Sequence, residues 1–240
     1  MEQGLIPGKY RVLSGSALKL IAVVTMLIDH IGFALLSQNP IVLFSAFGYS
    51  VTLYSIARSI GRIAFPIFAF LLVEGFLHTR NRLRYAIGLG VFALLSEIPF
   101  NLIKTGTLWN WHTQNVFFTL LFGLLGVWAV ERFSDRPWKA LIGLLAMLLA
   151  AYFAHSDYDV SGYCFILLLY VLRKSPVPRA IIGTVILPSK WKAGLAFIPI
   201  AFYNGKRGFI RGSVLKFVFY LFYPAHLTIL WLLRRHFFGM

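Results

Sequence analysis

The chain is poor in cysteine and in acidic residues, and it has none of the short motifs of common soluble enzymes. Its single cysteine, Cys164, cannot form an internal disulfide, and no Cys/His spacing predicts a metal site. Eight Asp and Glu residues stand against 23 Lys and Arg residues, giving a net charge of +15. No P-loop, G-x-S-x-G, H-E-x-x-H or dinucleotide-binding glycine run occurs. We therefore expect neither a resident metal nor a soluble nucleotide-binding domain.

Apolar residues dominate what is present. They make up 59% of 240 residues, which is far too many for a soluble domain of this size. Several runs approach the ~20 residues that cross a bilayer as a helix. The sequence predicts a single all-α domain over residues 1–240, a polytopic transmembrane helical bundle of about nine spans, with eight to ten allowed. The predicted spans are 16–36, 62–78, 85–103, 115–131, 139–154, 161–173, 178–189, 191–204 and 214–233.

Two stretches depart from this simple pattern of spans. Segment 41–57 is apolar enough to insert, but counting it as a span would reverse the orientation of everything after it. We therefore predict an interfacial or re-entrant segment there, on the outer side of the membrane. Pro188 and Pro199 fall in short apolar runs and predict broken or tilted helices.

The basic residues cluster between the apolar runs. With a cytoplasmic N-terminus, every one of these clusters falls on the cytoplasmic side, in agreement with the positive-inside rule. The positive charge is thereby explained by the membrane, with anionic lipid as a partner and no nucleic acid. The clusters are Lys9/Arg11/Lys19, Arg80/Arg82/Arg84, Arg132/Arg136/Lys139, Arg173/Lys174/Arg179 and Lys206/Arg207/Arg211.

Asp29 and His30 are the most informative residues, because they lie inside the first predicted span. Ionisable groups are costly in hydrocarbon and usually face a polar cavity or a protein interior. Adjacent helical residues point about 100° apart, so we expect one of the two to orient a neighbouring helix while the other lines a cavity. Histidine suits general-base chemistry, although a histidine buried for packing is the alternative.

Further polar residues lie in or beside the other spans. Arg58 and Arg62 are four apart and share a face if helical, where they would bind an anion or anchor to headgroups. Each of the others has a structural alternative, such as pairing with a cation, satisfying loosened backbone near Pro99, or packing. The candidates for a common polar site are Glu74, Glu97, Asn101, Gln114, Asn115 and His226.

Several separate motifs resemble one family. They are L-S-G-S-A-L-K-L-I-A-V-V-T-M-L-I-D-H-I-G, I-G-R-I-A-F-P-I-F-A-F-L-L-V-E-G-F-L-H-T-R-N, L-L-S-E-I-P-F-N, Q-N-V-F-F-T-L, Y-N-G-K-R-G and F-Y-P-A-H-L. Together they resemble the TraX family, typified by the conjugal-transfer protein that N-acetylates the amino terminus of F-type pilin. That family is in turn similar to the acyltransferase-3 membrane enzymes, which carry a histidine in the first span and arginines at the next.

The resemblance implies an acyltransferase in the bacterial cytoplasmic (inner) membrane. By that analogy His30 is the catalytic base, Asp29 its neighbour, and Arg58 or Arg62 a contact for substrate or acyl-CoA. The co-substrate would be acetyl-CoA or another acyl-CoA, and the acceptor an amine or hydroxyl of pilin or a cell-envelope molecule. A transporter or flippase and a non-catalytic conjugation assembly factor are the alternatives.

Overall fold

The computed structural model of the chain describes residues 5–38, 40–46, 49–187, 191–210 and 212–239. Pro188, one of the two predicted helix breaks, and Arg211 of the last basic cluster lie outside these ranges. The described residues form eleven α-helices, a short 3-10 helix at Gly8–Tyr10, a π-helical turn and one two-stranded hairpin. The predicted helical bundle is therefore present, with a small β element that the sequence did not predict.

A side-chain cap marks the start of the first helix, and a π-helical turn follows its end. Helix α1, Gly15–Ile31, starts where the Ser14 side chain accepts a hydrogen bond from the Ala17 amide at 3.3 Å, and it continues as a π-helical turn over Gly32–Leu36. Strands β1, Val42–Ala46, and β2, Tyr49–Thr52, follow as an antiparallel pair with a bulge between Val42 and Phe44. Their Val, Thr and Tyr content favours extended backbone.

This hairpin occupies the first part of the ambiguous segment 41–57. It is no membrane span by itself, and the two strands bond to each other rather than to a helix. The sequence predicted no strand here, because an apolar run of this length fits a strand as well as a buried helix. The second part of the segment opens helix α2, Leu53–Gly61, which begins with a reciprocal cap between Thr52 and Ser55.

The remaining helices follow with short connections. They are α3, Ala64–His78; α4, Arg82–Thr105; α5, Val116–Arg132; α6, Pro137–Phe153; α7, Asp159–Val171; α8, Pro176–Ile186; α9, Trp191–Gly194; α10, Phe197–Ala201; and α11, Gly212–Phe238. Asparagine side chains cap α4 and α5, and proline stands at the first turn of α6 and α8, as helix starts favour. The predicted span 191–204 is instead the pair of short helices α9 and α10, with Pro199 inside the latter.

Four helical stretches of the described residues are long and apolar enough to cross a membrane. They are Gly15–Leu36, Leu53–His78, Arg82–Thr105 and Val214–Phe238. The shorter apolar helices, such as the 17-residue α6, would reach only ~25 Å of the ~30 Å hydrocarbon core. The protein is thus a helical membrane protein, while nine crossings stay a prediction.

The bundle has two ends of different charge. At one, Leu13 pairs with Tyr203, and Arg82 donates to Glu131 at 2.5 Å. We call this the basic end, because the predicted basic clusters, as far as they are described, lie in its loops and in the helix ends next to them. At the opposite end, Gln114 donates to the His155 carbonyl at 3.0 Å, and Arg234 donates to the Ile103 carbonyl at 2.8 Å.

Helices α5 and α7 pack closely because a glycine in α5 leaves room for a tyrosine side chain from α7. A Cβ atom at Gly126 would come within 2.7 Å of the Tyr163 hydroxyl and 2.8 Å of its ring. Tyr163 is buried, and its hydroxyl donates to the Leu144 carbonyl in α6 at 2.8 Å. One glycine therefore allows a tyrosine to tie three helices together.

We predict that Gly126→Ala destabilises the protein by about 1–3 kcal/mol, because the methyl group displaces Tyr163 from its hydrogen bond. Gly88→Ala is the matched control, since a Cβ there meets nothing within 4 Å. Cys164 is the protein's own reporter, and a thiol-reactive fluorophore would follow its exposure on heating. Equal unfolding midpoints for the two variants would contradict this role of Gly126.

Candidate functional site

Asp29 in α1 contacts Arg58 in α2. The Arg58 guanidinium donates to Asp29 Oδ2, and the two side chains are only 26% and 15% exposed. Glycines make this approach possible. A Cβ at Gly61 would fall within 2.1–2.3 Å of Asp29 side-chain atoms, and one at Gly32 would fall 2.7 Å from the Ala57 Cβ. Asp29 thus holds α2 against α1. The sequence predicted that one of the two neighbours would orient a helix while the other lined a cavity, but both line the cavity described below.

His30, the next residue, contacts α11 instead. Its Nδ1 lies 2.7 Å from Nε2 of His226, whose own Nδ1 lies 2.7 Å from the Phe222 carbonyl oxygen. The His226 ring also stacks on Phe222 at a centroid distance of 4.8 Å. The first and last helices are therefore joined by two histidine rings and a main-chain carbonyl.

These contacts determine where the protons lie. A carbonyl oxygen only accepts, so the hydrogen of neutral His226 is on Nδ1 and its Nε2 is an acceptor. Nδ1 of His30 must then donate to His226, which leaves His30 Nε2 without a hydrogen. A neutral histidine held in this way offers a lone pair to a base-catalysed reaction.

A cavity of about 120 Å³ lies beside these groups. Four predicted site residues line it, namely Asp29, His30, Arg58 and Arg62. Among the described residues, no carboxylate lies within ion-pair distance of Arg62. The second oxygen of Asp29, Oδ1, is buried and has no hydrogen-bond partner among them either. The cavity therefore offers an acceptor oxygen that has no partner among the described residues, beside a cation, Arg62, whose side chain bonds Tyr158.

Three further polar residues line the same cavity at the end opposite the basic end. Lys104 and Asp157 face each other at 3.7 Å, and Tyr158 stacks on Phe65 at a centroid distance of 3.7 Å. Burial, reinforced by the nearby Asp157 carboxylate, raises the pKa of the Tyr158 phenol. Its hydroxyl therefore stays protonated at neutral pH. Sequence reasoning missed all three as site residues, because they lie at a helix end and in a connection where no motif marks them.

The other predicted site residues lie elsewhere. Glu97 and Asn115 are buried and bonded to each other, with Asn115 Nδ2 donating to Glu97 Oε2 at 2.6 Å. Asn101 donates to the other Glu97 oxygen at 3.2 Å. This cluster ties α4 to the start of α5 near Pro99, and it does not line the described cavity. These contacts support a structural role for Glu97, Asn101 and Asn115, which was the alternative to a role in a polar site.

Gln114 and Glu74 are also separate from the cavity. Gln114 donates to the Asn110 carbonyl at 2.9 Å, and the main-chain carbonyl of Glu74 bonds the His78 ring at 2.8 Å. Gln114 and Asn115, predicted as members of a common polar site, therefore do not share a site with His30. His226 is not among the residues that line the cavity; it contacts the site through its hydrogen bond with His30.

Comparison with known proteins gives the chain a family. Residues 14–234 match the family described as TraX protein. The chain belongs to the TraX family. The chain is also similar to the probable fimbrial assembly protein FimC, serogroup H1, of Dichelobacter nodosus. The two are 29% identical over 245 residues, which cover 90% of this chain and 94% of that protein. No solved structure matches.

For this TraX-family protein we predict that Asp29→Asn lowers the free energy of unfolding by about 3 kcal/mol, because Arg58 keeps a buried charge without its partner. Asp135→Asn removes the same charge from an exposed pair with Arg136 and should cost at most about 0.5 kcal/mol. Thermal unfolding followed through Cys164 measures both. A control as unstable as Asp29→Asn would contradict the structural role of the pair.

Proposed function

We propose that the protein is an integral-membrane acyltransferase that moves an acetyl group from acetyl-CoA to an amine or hydroxyl acceptor. The observation that carries this proposal is the hydrogen-bonded chain from the Phe222 carbonyl through His226 to His30. It holds His30 in the tautomer whose Nε2 is free to take a proton, and it does so at the wall of a charged cavity.

In this mechanism His30 acts as general base and then as general acid. Nε2 removes a proton from the acceptor nitrogen or oxygen as that atom attacks the thioester carbonyl carbon. The new bond forms while the carbonyl electron pair moves to oxygen. When that pair returns, the carbon–sulfur bond breaks, and the leaving thiolate takes the proton from His30. His226 accepts a hydrogen bond from Nδ1 throughout and stabilises the transient imidazolium.

Other cavity residues fit supporting roles in the same reaction. Arg62 and the Tyr158 hydroxyl are hydrogen-bond donors that could stabilise a developing oxyanion, an effect of about 3 kcal/mol per donor. Asp29 Oδ1, which has no partner among the described residues, is suited to accept a hydrogen bond from an incoming amine. Arg58 would hold Asp29 in place for that contact.

The size of the cavity favours a small acyl group. Its volume of about 120 Å³ is well below the ~300–1,000 Å³ of pockets that enclose drug-sized ligands. An acetyl group and an amine fit such a space, whereas the nucleotide of CoA would have to remain outside. This supports acetyl-CoA over long-chain acyl donors.

The two ends of the bundle support an acceptor that arrives from outside the cytoplasm. By the positive-inside rule the basic end faces the cytoplasm, so Lys104 and Asp157 of the cavity lie toward the opposite side. Family membership and the fimbrial assembly name of the similar protein associate the chain with pilin-related conjugation or assembly. The amino terminus of a pilin subunit is therefore the acceptor we propose first.

A non-catalytic assembly factor is the second candidate, and the name of the similar fimbrial assembly protein favours it. The two roles differ in one observable, since only an enzyme releases CoA thiol and leaves an acetyl group on the acceptor. Purified protein in nanodiscs with radiolabelled acetyl-CoA and a pilin amino-terminal peptide tests both. A peptide with a blocked amino terminus controls for transfer to side chains.

We predict that His30→Gln lowers the transfer rate by about 10²–10⁴-fold, the usual contribution of a general base. His112→Gln is the matched control, because His112 is exposed and outside the cavity lining. Both variants should unfold at the wild-type temperature. Full transfer by folded His30→Gln would remove His30 from the mechanism, and absence of transfer by the wild-type protein would favour the assembly role.

We further predict that His226→Leu lowers kcat by about tenfold or more while KM for acetyl-CoA changes little, because His226 positions His30 and does not line the cavity. The pH–rate profile should shift as well, since His30 then loses the fixed tautomer. A variant with unchanged kcat and pH profile would show that His226 serves packing alone.

A further inference from the structure

Three cations gather at the basic end, away from the cavity. Lys19 lies in the second turn of α1 and Lys216 in the second turn of α11, and Arg207 lies in the loop before α11. The positive charges of Arg207 and Lys216 both act on Lys19. Lys19 is half-buried, with its ammonium 5.4 Å from the centre of the Phe219 ring, while Arg207 and Lys216 are exposed.

The position of Arg207 is fixed by its main chain. The Lys206 carbonyl accepts from the Gly15 amide at 2.8 Å, and the Arg207 carbonyl accepts from the amide and the hydroxyl of Ser16, both at 2.9 Å. Gly208 has a φ of +85°, and a Cβ there would lie 2.4 Å from the Ser14 hydroxyl. The motif Y-N-G-K-R-G thus holds Arg207 against the start of α1.

Within the described part of the chain, this arrangement concentrates positive charge without a carboxylate counter-ion. No carboxylate of the described residues lies within 4.0 Å of any of the three cations, and neither α1 nor α11 has an acidic residue in its first turn. Both helices also begin at this end, where the helix dipole adds further positive potential. The α1 amides are already bonded by the loop, so an anion would be bound by the side chains.

We propose that Lys19, Arg207 and Lys216 form a binding site for a phosphate group. Phosphate chemistry at this location has two sources, the headgroup of an anionic phospholipid and the phosphates of CoA. The CoA source rests on the proposed function, and the lipid source does not. For CoA the distance is suitable, because Lys19 and His30 are ~16 Å apart along α1 and the pantetheine arm has about the length of four extended residues, or ~14 Å.

The experiment measures equilibrium binding to the full-length protein, with no need for acetyl transfer. CoA is titrated against the detergent-purified protein, and phosphatidylglycerol and phosphatidylcholine adducts are compared by native mass spectrometry. The test variant carries Lys19→Gln, Arg207→Gln and Lys216→Gln. We expect it to bind CoA or phosphatidylglycerol at least about tenfold more weakly than wild type, with phosphatidylcholine unchanged. Arg207→Lys should keep most of the affinity.

The control is Lys139→Gln, which removes one cation from the α5–α6 connection, where Lys139 packs over Trp138. It should bind both probes as wild type does. Loss of CoA binding alone identifies the nucleotide as the ligand, and loss of phosphatidylglycerol alone identifies the lipid. Unchanged binding of both, or no binding by wild type, overturns the site. Failure of acetyl transfer with intact CoA binding would overturn the proposed function and leave the site standing.

A second readout separates binding from a structural role. Because the three cations repel one another, Lys19→Gln should raise the unfolding midpoint of the ligand-free protein while it weakens phosphate binding. A residue needed only for packing would lower the midpoint when replaced. The Cys164 thermal assay makes this comparison directly, and a lowered midpoint with wild-type phosphate binding would contradict the proposal.

Discussion

The hydrogen bond between His30 and His226 is the contact on which the candidate site depends. It joins the first long helix to the last one, 196 residues apart in sequence. Neither ring has a fixed tautomer by itself, and only the Phe222 carbonyl determines where the protons lie. The nitrogen of His30 that carries no hydrogen is therefore defined only when the first and last helices have come together, which couples folding to the proposed chemistry at the site.

The Asp29–Arg58 pair and the small residues around it support that contact. Gly32, Ala57 and Gly61 let α1 and α2 approach until Asp29 reaches Arg58. In a membrane such close packing replaces the hydrophobic drive that soluble helices have, because lipid tails are as apolar as the side chains. The rotation of α1 is thereby set from one side by Asp29 and from the other by His30.

The sequence predicted the helices better than it predicted the site. Apolar blocks located most of the helices to within a few residues, although they merged α9 with α10 and left α2 in an ambiguous segment. Adjacent helical positions predicted that Asp29 and His30 face different neighbours, but not that both line the cavity. The sequence, however, could not show that Asn115 would turn to Glu97 and Ala93 rather than to His30. Lys104, Asp157 and Tyr158 reach the cavity only through the packing of α4 and the α6–α7 connection, and no sequence period encodes that. The hairpin was missed because segment 41–57 has no clear period.

Helix α1 carries different functional groups toward its two ends. This difference fits the proposed reaction, in which two substrates would arrive from opposite sides of a membrane. Lys19 lies near the basic end and His30 ~16 Å further along the same helix, beside a cavity whose other polar walls belong to the opposite end. In the proposed function, an anionic carrier and a small acceptor would be recognised at different ends by different chemistry, phosphate by cations and amine by carboxylate. Two such recognition sites need no large enclosed pocket, which is consistent with a cavity of only about 120 Å³. A transporter would have to open the same passage to a whole solute, whereas group transfer requires only that a thin arm and its acyl group reach His30.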